Sequence, residues 1–346
     1  MAEKRNQKKI TIKHIAEIAG VSFSTVGKAL RGEPVVHPRT RDKILKIAED
    51  LNYYPNIHAR SLKTRKTKLI GIILNDLKNP FFSNIYKVIA DILNKWDYTM
   101  LLCDSDYNVD LERKNIITML SKGADGIILS PVNEKSDNIR LVIESDIKSV
   151  FIDTIPEYTD VNYVYVNHER AGFLSTEYLI NNGHKNILLI NGPLDFSPSK
   201  HFLKGHENAL AHHNIEPDKK LQVHSDVSIE KGYQVFKKKY HTMKSVESFA
   251  FTAVLTLSDL LALGIYEAAL DLGFKIPDDF SVIGYDNIFA GKYVCPPLTT
   301  VHQPKIRIGE MSVNILLEKI DNKSEEYEKI ILEPHLIARS SVKSII

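Results

Sequence analysis

Residues 69–75 read LIGIILN. Apolar on both faces of an extended chain, this run fits a strand covered on two sides, not the alternating pattern of a half-solvated one. The signature returns at 99–105 (TMLLCDS), 126–130 (GIILS), 149–153 (SVFID), 163–167 (YVYVN), 186–192 (NILLING), 253–257 (AVLTL), 280–286 (FSVIGYD) and 298–302 (LTTVH). Amphipathic spans such as 82–95, 110–122, 169–182, 199–213 and 259–272 alternate with these runs. Buried strands separated by helices predict parallel sheets covered on both faces, a doubly wound α/β body. Residues 69–346 are too many for one such sheet. The expected body is therefore two similar subdomains with a cleft between them, about 69–168 with 298–325 and 169–297 with 326–346.

Residues 1–55 contain no strand-like run and read as an all-α helix-turn-helix domain. Thr11 suits the cap of a helix through IKHIAEIA, Gly20 ends it, and Ser22 caps the next helix, VSFSTVGKAL at 21–30. A third helix starts at HPRTRDKILKIAEDL with Pro38 in its first position. Ile15, Ala16, Val21, Val26, Leu30 and Ile44 supply a small core. Residues 56–68 form a basic linker. Val26, Ala29 and Leu30 face that core, while Phe23, Ser24 and Lys28 face outward near the start of the second helix, where such helices meet base edges in the major groove. There Lys28 can donate to guanine O6 and N7, Phe23 can contact a thymine methyl, and Ser24 can donate or accept.

The charge agrees with this division. Residues 1–68 hold 16 Lys+Arg against 6 Asp+Glu, net +10, whereas the whole chain of 346 residues carries only +2. A basic end on an acidic body indicates a polyanion-binding module, nucleic acid before membrane surface. Two cysteines, Cys103 and Cys295, give neither a disulfide framework nor a Cys-rich metal motif, and the charged N-terminus lacks the apolar stretch of a secretory leader, so a reducing cytosol is expected. HENALAH at 206–212 spaces its histidines six apart rather than four, which argues for a solvated helix face and no metal. No nucleophile–base pair or glycine-rich phosphate cradle occurs, and no cofactor is expected.

Several stretches together resemble the lactose/purine repressor (LacI/GalR) family of bacterial transcription regulators: TIKHIAEIAGVSFSTVGKAL, TRDKILKIAEDLNYYPNIHARSLKTRKT and IGIILNDLKNPFF in the first half, GHKNILLINGP, SDLLALGIYEAALDLGFKIPDDFSVIGYDN and PPLTTVHQP in the second. The resemblance spans nearly the whole chain in register. It implies a periplasmic-binding-protein-like body, a palindromic operator, a homodimer, and a small effector, a sugar or derivative, in the cleft. The DNA-contacting set it implies is Thr11, Ser22, Phe23, Ser24, Thr25 and Lys28, joined by Asn56, Ala59, Arg60, Leu62 and Lys63 of a hinge in which Leu62 wedges into the minor groove. The effector set is Phe81, Phe82, Phe202, Asp259 and Asp286, with Asp153 and Asn167 as weaker candidates that could equally be strand-end turns. The dimer also rests on an end, LIARSSVKSII, without a leucine-heptad tail.

The sequence departs from the family at three places. Gly27 replaces the usual serine of the recognition helix, His14 stands where an acidic residue is favoured, and Phe202 occupies the position of an effector-holding arginine. Phe196, Pro198 and Val227 also differ from the purine-type contacts. These changes leave three alternatives: a less polar or uncharged effector, a substitute cation from Lys200 or His201, or a vestigial pocket. The absent arginine also keeps open a catabolite-control regulator whose corepressor is a phosphorylated phosphocarrier protein. A solute-binding transport protein is a rival of another class, and an enzyme is further still.

Overall fold

The computed structural model describes residues 10–53, 66–243 and 251–346. It divides at Thr67/Lys68 into two compact units. In the first, α1 (Ile12–Ala19), α2 (Phe23–Leu30) and α3 (Pro38–Asp50) close on Ile15, Ala16, Ala19, Val26, Ala29, Val36, Ile44 and Ala48. Gly20 ends α1 in the left-handed region at φ 69°, which a side chain disfavours, and this turn redirects the chain into α2. Lys43 donates to the carbonyl of Ala19 at 2.9 Å and Arg41 to that of Glu33 at 2.7 Å, so these two cations brace the turns.

The second unit contains two six-stranded sheets. The first has the order β2 (Thr99–Asp104), β1 (Leu69–Leu74), β3 (Gly126–Leu129), β4 (Lys148–Ile152), β5 (Tyr163–Val166), β11 (Lys329–Leu332), all parallel. The second runs β7 (Gln222–His224), β6 (Ile187–Asn191), β8 (Ala253–Thr256), β9 (Ser281–Asp286), β10 (Thr299–His302), again parallel, with β12 (His335–Ile337) antiparallel at its edge. Helices α4 (Pro80–Lys95), α5 (Val109–Ser121), α6 (Asp137–Glu144) and α11 (Lys305–Ile320) cover the first sheet; α7 (His168–Asn181), α8 (Ser197–His212), α9 (Ile229–Met243) and α10 (Asp259–Leu272) cover the second. The central strands are buried on both faces, as their apolar runs require: β3, β5, β6, β8 and β9 are enclosed along their full length, whereas the edge strands β2, β7, β11 and β12 are partly exposed. No helix among the described residues is long and apolar enough to cross a membrane.

The subdomain limits differ from the sequence reading at the C-terminal end. Residues 299–302 pair with β9 in the second sheet, and 329–332 pair with β5 in the first. The chain therefore crosses between subdomains after β5, after β10 and again after β11. Hydrophobic pattern identifies a strand but not its partner, which is a long-range choice. Each sheet reverses its strand order beside its first strand, at β1/β3 and β6/β8. Such switch points leave a crevice beyond the carboxyl ends of the strands, and residues following β1, β2, β3, β4, β6, β8 and β10 meet there with the last residues of β9.

Candidate effector cleft and DNA-reading helix

In the first unit, Ser22 caps α2, its Oγ accepting from the Thr25 amide at 3.1 Å and lying 2.9 Å from Thr25 Oγ1. The cap leaves Phe23, 64% exposed, and Ser24 projecting at the helix start, while Val26, Gly27 and Ala29 are buried and Lys28 is partly covered. Thr11 sits at the α1 cap. Its N–H donates to His14 Nδ1 at 3.1 Å and its hydroxyl lies 2.9 Å from the same nitrogen, so His14 performs the task of a capping-box acid.

In the second unit a cavity of about 50 Å³ lies between the subdomains. Asn75, Phe81, Phe82, Tyr107 and Asp153 line it from the first, and Phe196, Ser199, Ser258, Tyr285 and Asp286 from the second, with Gln303 beside the crossing. Tyr107 and Phe196 stack across it, centroids 4.7 Å apart at 15°. Three further ties cross the cleft: Tyr165 Oη to His201 Nδ1 at 2.8 Å, Lys200 to Glu134 at 2.5 Å, and His168, which binds Tyr285 Oη at 2.7 Å through Nδ1 and the Asp153 carbonyl at 3.2 Å through Nε2. The carbonyl only accepts, so Nε2 carries a proton, and Nδ1 shares the second hydrogen bond with the Tyr285 hydroxyl.

Several lining residues occupy the left-handed region without being glycine: Tyr107 at φ 52°, Asp153 at 64° and Asp286 at 115°. Such strain gathers where side chains must be aimed at a ligand. Asp286 accepts from Ser258 Oγ at 2.9 Å and Gln303 Nε2 at 2.7 Å. Burial, and then the neighbouring Asp259 carboxylate, push its pKa well above the carboxylate range, with Lys305 opposing. Buried side-chain atoms left without a hydrogen bond include Asp153 Oδ1, Ser199 Oγ and Gln303 Oε1, all belonging to residues of this wall, and Asn191 Oδ1 just behind Ser199. Asp153 Oδ1 is 3.3 Å from His168 Nε2, whose single proton points at the carbonyl instead. Buried polar atoms are normally satisfied, so their convergence marks a place for polar guests.

Residues 67–340 match the family model described as periplasmic binding proteins and sugar binding domain of the LacI family, and residues 11–56 match bacterial regulatory proteins, lacI family. The chain belongs to the LacI family. As a LacI-family member it is a DNA-binding transcriptional regulator. It is 33% identical over 336 residues to the HTH-type transcriptional repressor PurR of Histophilus somni, covering 97% of this chain and 99% of that one. Among solved structures it resembles the lac repressor dimer bound to operator and the anti-inducer ONPF, with 26% identity, TM-score 0.83, and 97% and 100% of the two chains covered. A LacI-family regulator from Enterococcus faecium with bound ribose aligns at 29% identity and TM-score 0.68, over 80% of this chain and 100% of that one.

Against the LacI-family expectations, the structure brings Phe81, Phe82, Asp153 and Asp286 together at the cleft and places two other residues elsewhere. Asp259 is fully buried behind the wall, accepting from Thr300 Oγ1 at 2.6 Å and the Ile288 amide at 2.8 Å. It holds the loop after β9, while its neighbour Ser258 faces the cleft. Phe202 is likewise fully buried, packed on Tyr285 at 5.4 Å, and reaches the cavity only through that ring. Asn167 caps α7 through the Arg170 amide at 3.0 Å. His201 and Lys200 are engaged with Tyr165 and Glu134, so neither stands in for the arginine. His206 is buried, not solvated, 2.8 Å from Thr176 Oγ1. Among the described residues Glu177, His212 and His213 form the one group of three whose ligand atoms lie within 4.8 Å of one another, and none of them lines the cleft. The hinge candidates Asn56, Ala59, Arg60, Leu62 and Lys63 lie outside the described residues. Sequence reasoning missed Tyr107, Ser199, Ser258, Tyr285 and Gln303 as lining residues. The place of Tyr285 near the carboxyl end of FSVIGYD, next to Asp286, was a signal; a backbone turned at Tyr107 left none.

Proposed function

We propose that this protein is a homodimeric, cytosolic repressor of carbohydrate-related genes, released from or held on a palindromic operator by a sugar or sugar derivative bound between the two subdomains. The observation carrying the effector role is the group of unsatisfied polar atoms beside strained, non-glycine residues at the meeting of two switch points. The operator role rests on α2, whose polar face with Phe23, Ser24 and Lys28 is left outside a core built from its other face. Thr11, Ser22 and Thr25 fix the helix ends against the backbone, and Leu62 with Asn56, Ala59, Arg60 and Lys63 would open the minor groove between half-sites. Effector binding would alter the angle between subdomains and shift operator affinity by a coupling energy of about 1–3 kcal/mol.

Selection from a random DNA pool with the purified ligand-free protein tests the first part. A recovered palindrome is expected, with its affinity changed by at least one sugar. Absence of any enriched sequence, with and without sugars, would reject the reading; enrichment that requires the phosphorylated phosphocarrier protein would favour the catabolite-control alternative. Leu62→Ala should weaken specific binding while sparing salt-dependent, non-specific binding, and equal loss of both would remove the wedge.

A further inference from the structure

We propose that the cleft accepts only a ligand without negative charge, an uncharged hydroxyl-rich molecule held chiefly by hydrogen bonds that it donates to the protein. The inference rests on the effector reading above and goes further by fixing the charge and hydrogen-bonding sense of the guest. It starts from what lines the cavity: Asp153 and Asp286 are the carboxylates, and neither lysine nor arginine is among the lining residues. The one ring that could carry positive charge, His168, has both nitrogens committed, to Tyr285 and to Asp153.

The cations nearby serve the protein itself. Lys305 is buried behind Asp286 and donates to the main-chain carbonyls of Asp286, Asn287 and Gln303. Arg339 donates to the Leu298 carbonyl and to Asn287 Oδ1, both at 2.6 Å. Lys200 is paired with Glu134. None can turn to a phosphate or carboxylate without abandoning those partners.

The unsatisfied atoms also have a direction. Gln303 gives its Nε2 to Asp286, which fixes its amide and leaves Oε1 as the bare atom. Asn191 gives its Nδ2 to the Ser199 carbonyl and leaves Oδ1. With Asp153 Oδ1, these are acceptors only; the Ser199 hydroxyl can serve either way. An incoming hydroxyl satisfies such atoms, whereas a phosphate oxygen meets acceptors with an acceptor. The start of α8 is the one competing feature, because no side chain caps it and its amides favour negative charge. Pro198 removes one of those amides, and Asp153 opposes an anion from the other wall.

Matched pairs test the idea on the full-length protein by calorimetry and thermal shift: ribose with ribose 5-phosphate, glucose with glucose 6-phosphate, galactose with galacturonate, and inorganic phosphate alone. At least one neutral sugar should bind, and its charged partner should bind about tenfold more weakly or worse. Asp153→Asn should narrow that ratio while operator binding shows the variant to be folded. A charged member binding as tightly as its neutral partner, or inorganic phosphate binding alone, overturns the inference but leaves an effector site. No binding by any member of either set overturns the effector reading itself and the inference with it.

Discussion

Asp259 and its neighbour Ser258 occupy consecutive positions at the start of α10, yet one turns into the protein and the other toward the cleft. From the sequence either could have gripped a ligand, because a strand-to-helix junction sends adjacent side chains to different sides and the direction depends on the distant Ile288 and Thr300. Asp259→Ala strands that amide and hydroxyl, and a loss of about 2–4 kcal/mol in urea unfolding is expected. Asp286→Asn should instead act mainly on ligand affinity, since Asp286 lies on the wall of the cavity. Gly27 is legible in a different way, as a poor helix former with a buried Cα face. A Cβ added there would stand 3.2 Å from the Arg31 guanidinium, the mobile tip of a side chain paired with Glu33, and 3.6 Å from Ile12 Cδ1. Gly27→Ala should therefore raise the stability of the three-helix unit by about 1 kcal/mol, read as a higher midpoint in its thermal melt.

At the level of elements, the closest helix pairing in the body is α7 against α8. A Cβ on Gly205 would lie 1.9 Å from the Glu169 carbonyl, and one on Gly172 would lie 2.1 Å from the Phe202 carbonyl. These backbones touch, so Gly205→Ala must part the helices that carry His168 and His201 into the cleft. A cost of about 3 kcal/mol in denaturant unfolding is expected, with weakened effector response in the folded fraction. The nine strand runs named from the sequence all form, because residues buried on both faces leave an unambiguous pattern. The remaining strands, β7, β11 and β12, are short and partly exposed, so they lack the enclosed apolar run that marks the others. In the three-helix unit Thr11, Gly20, Ser22 and Pro38 mark the ends directly, since capping is local chemistry. The cleft was only half legible: its charged corners were visible, but the aromatic closure is made by residues nearly ninety apart in the chain, and nothing local links them.

Across the whole molecule, buried imidazoles set a pH response. Thr176 Oγ1 donates to the Gly172 carbonyl, so it accepts from His206 Nδ1–H, and burial lowers the pKa of His206 to about 4. The unfolded chain takes up this proton near pH 6.5 and the folded chain does not until about 4, so stability falls as pH drops through that interval. His206→Asn should remove about 2 kcal/mol of the loss between pH 7 and 5, measured as the difference in unfolding free energy between variant and parent at each pH. The crossings between subdomains bear on how the protein is made. Ile70, Ile72 and Ile85 share one core with Ile308, Val313, Leu316 and Leu332, so the sheet whose strands leave the ribosome first cannot finish its interior until almost the last residues have emerged. During synthesis that early sheet must wait with an apolar flank exposed while the other subdomain is still being threaded out. The nascent chain is thus a natural client for chaperones, and a transcript truncated after β9 would yield two incomplete subdomains rather than one finished and one missing.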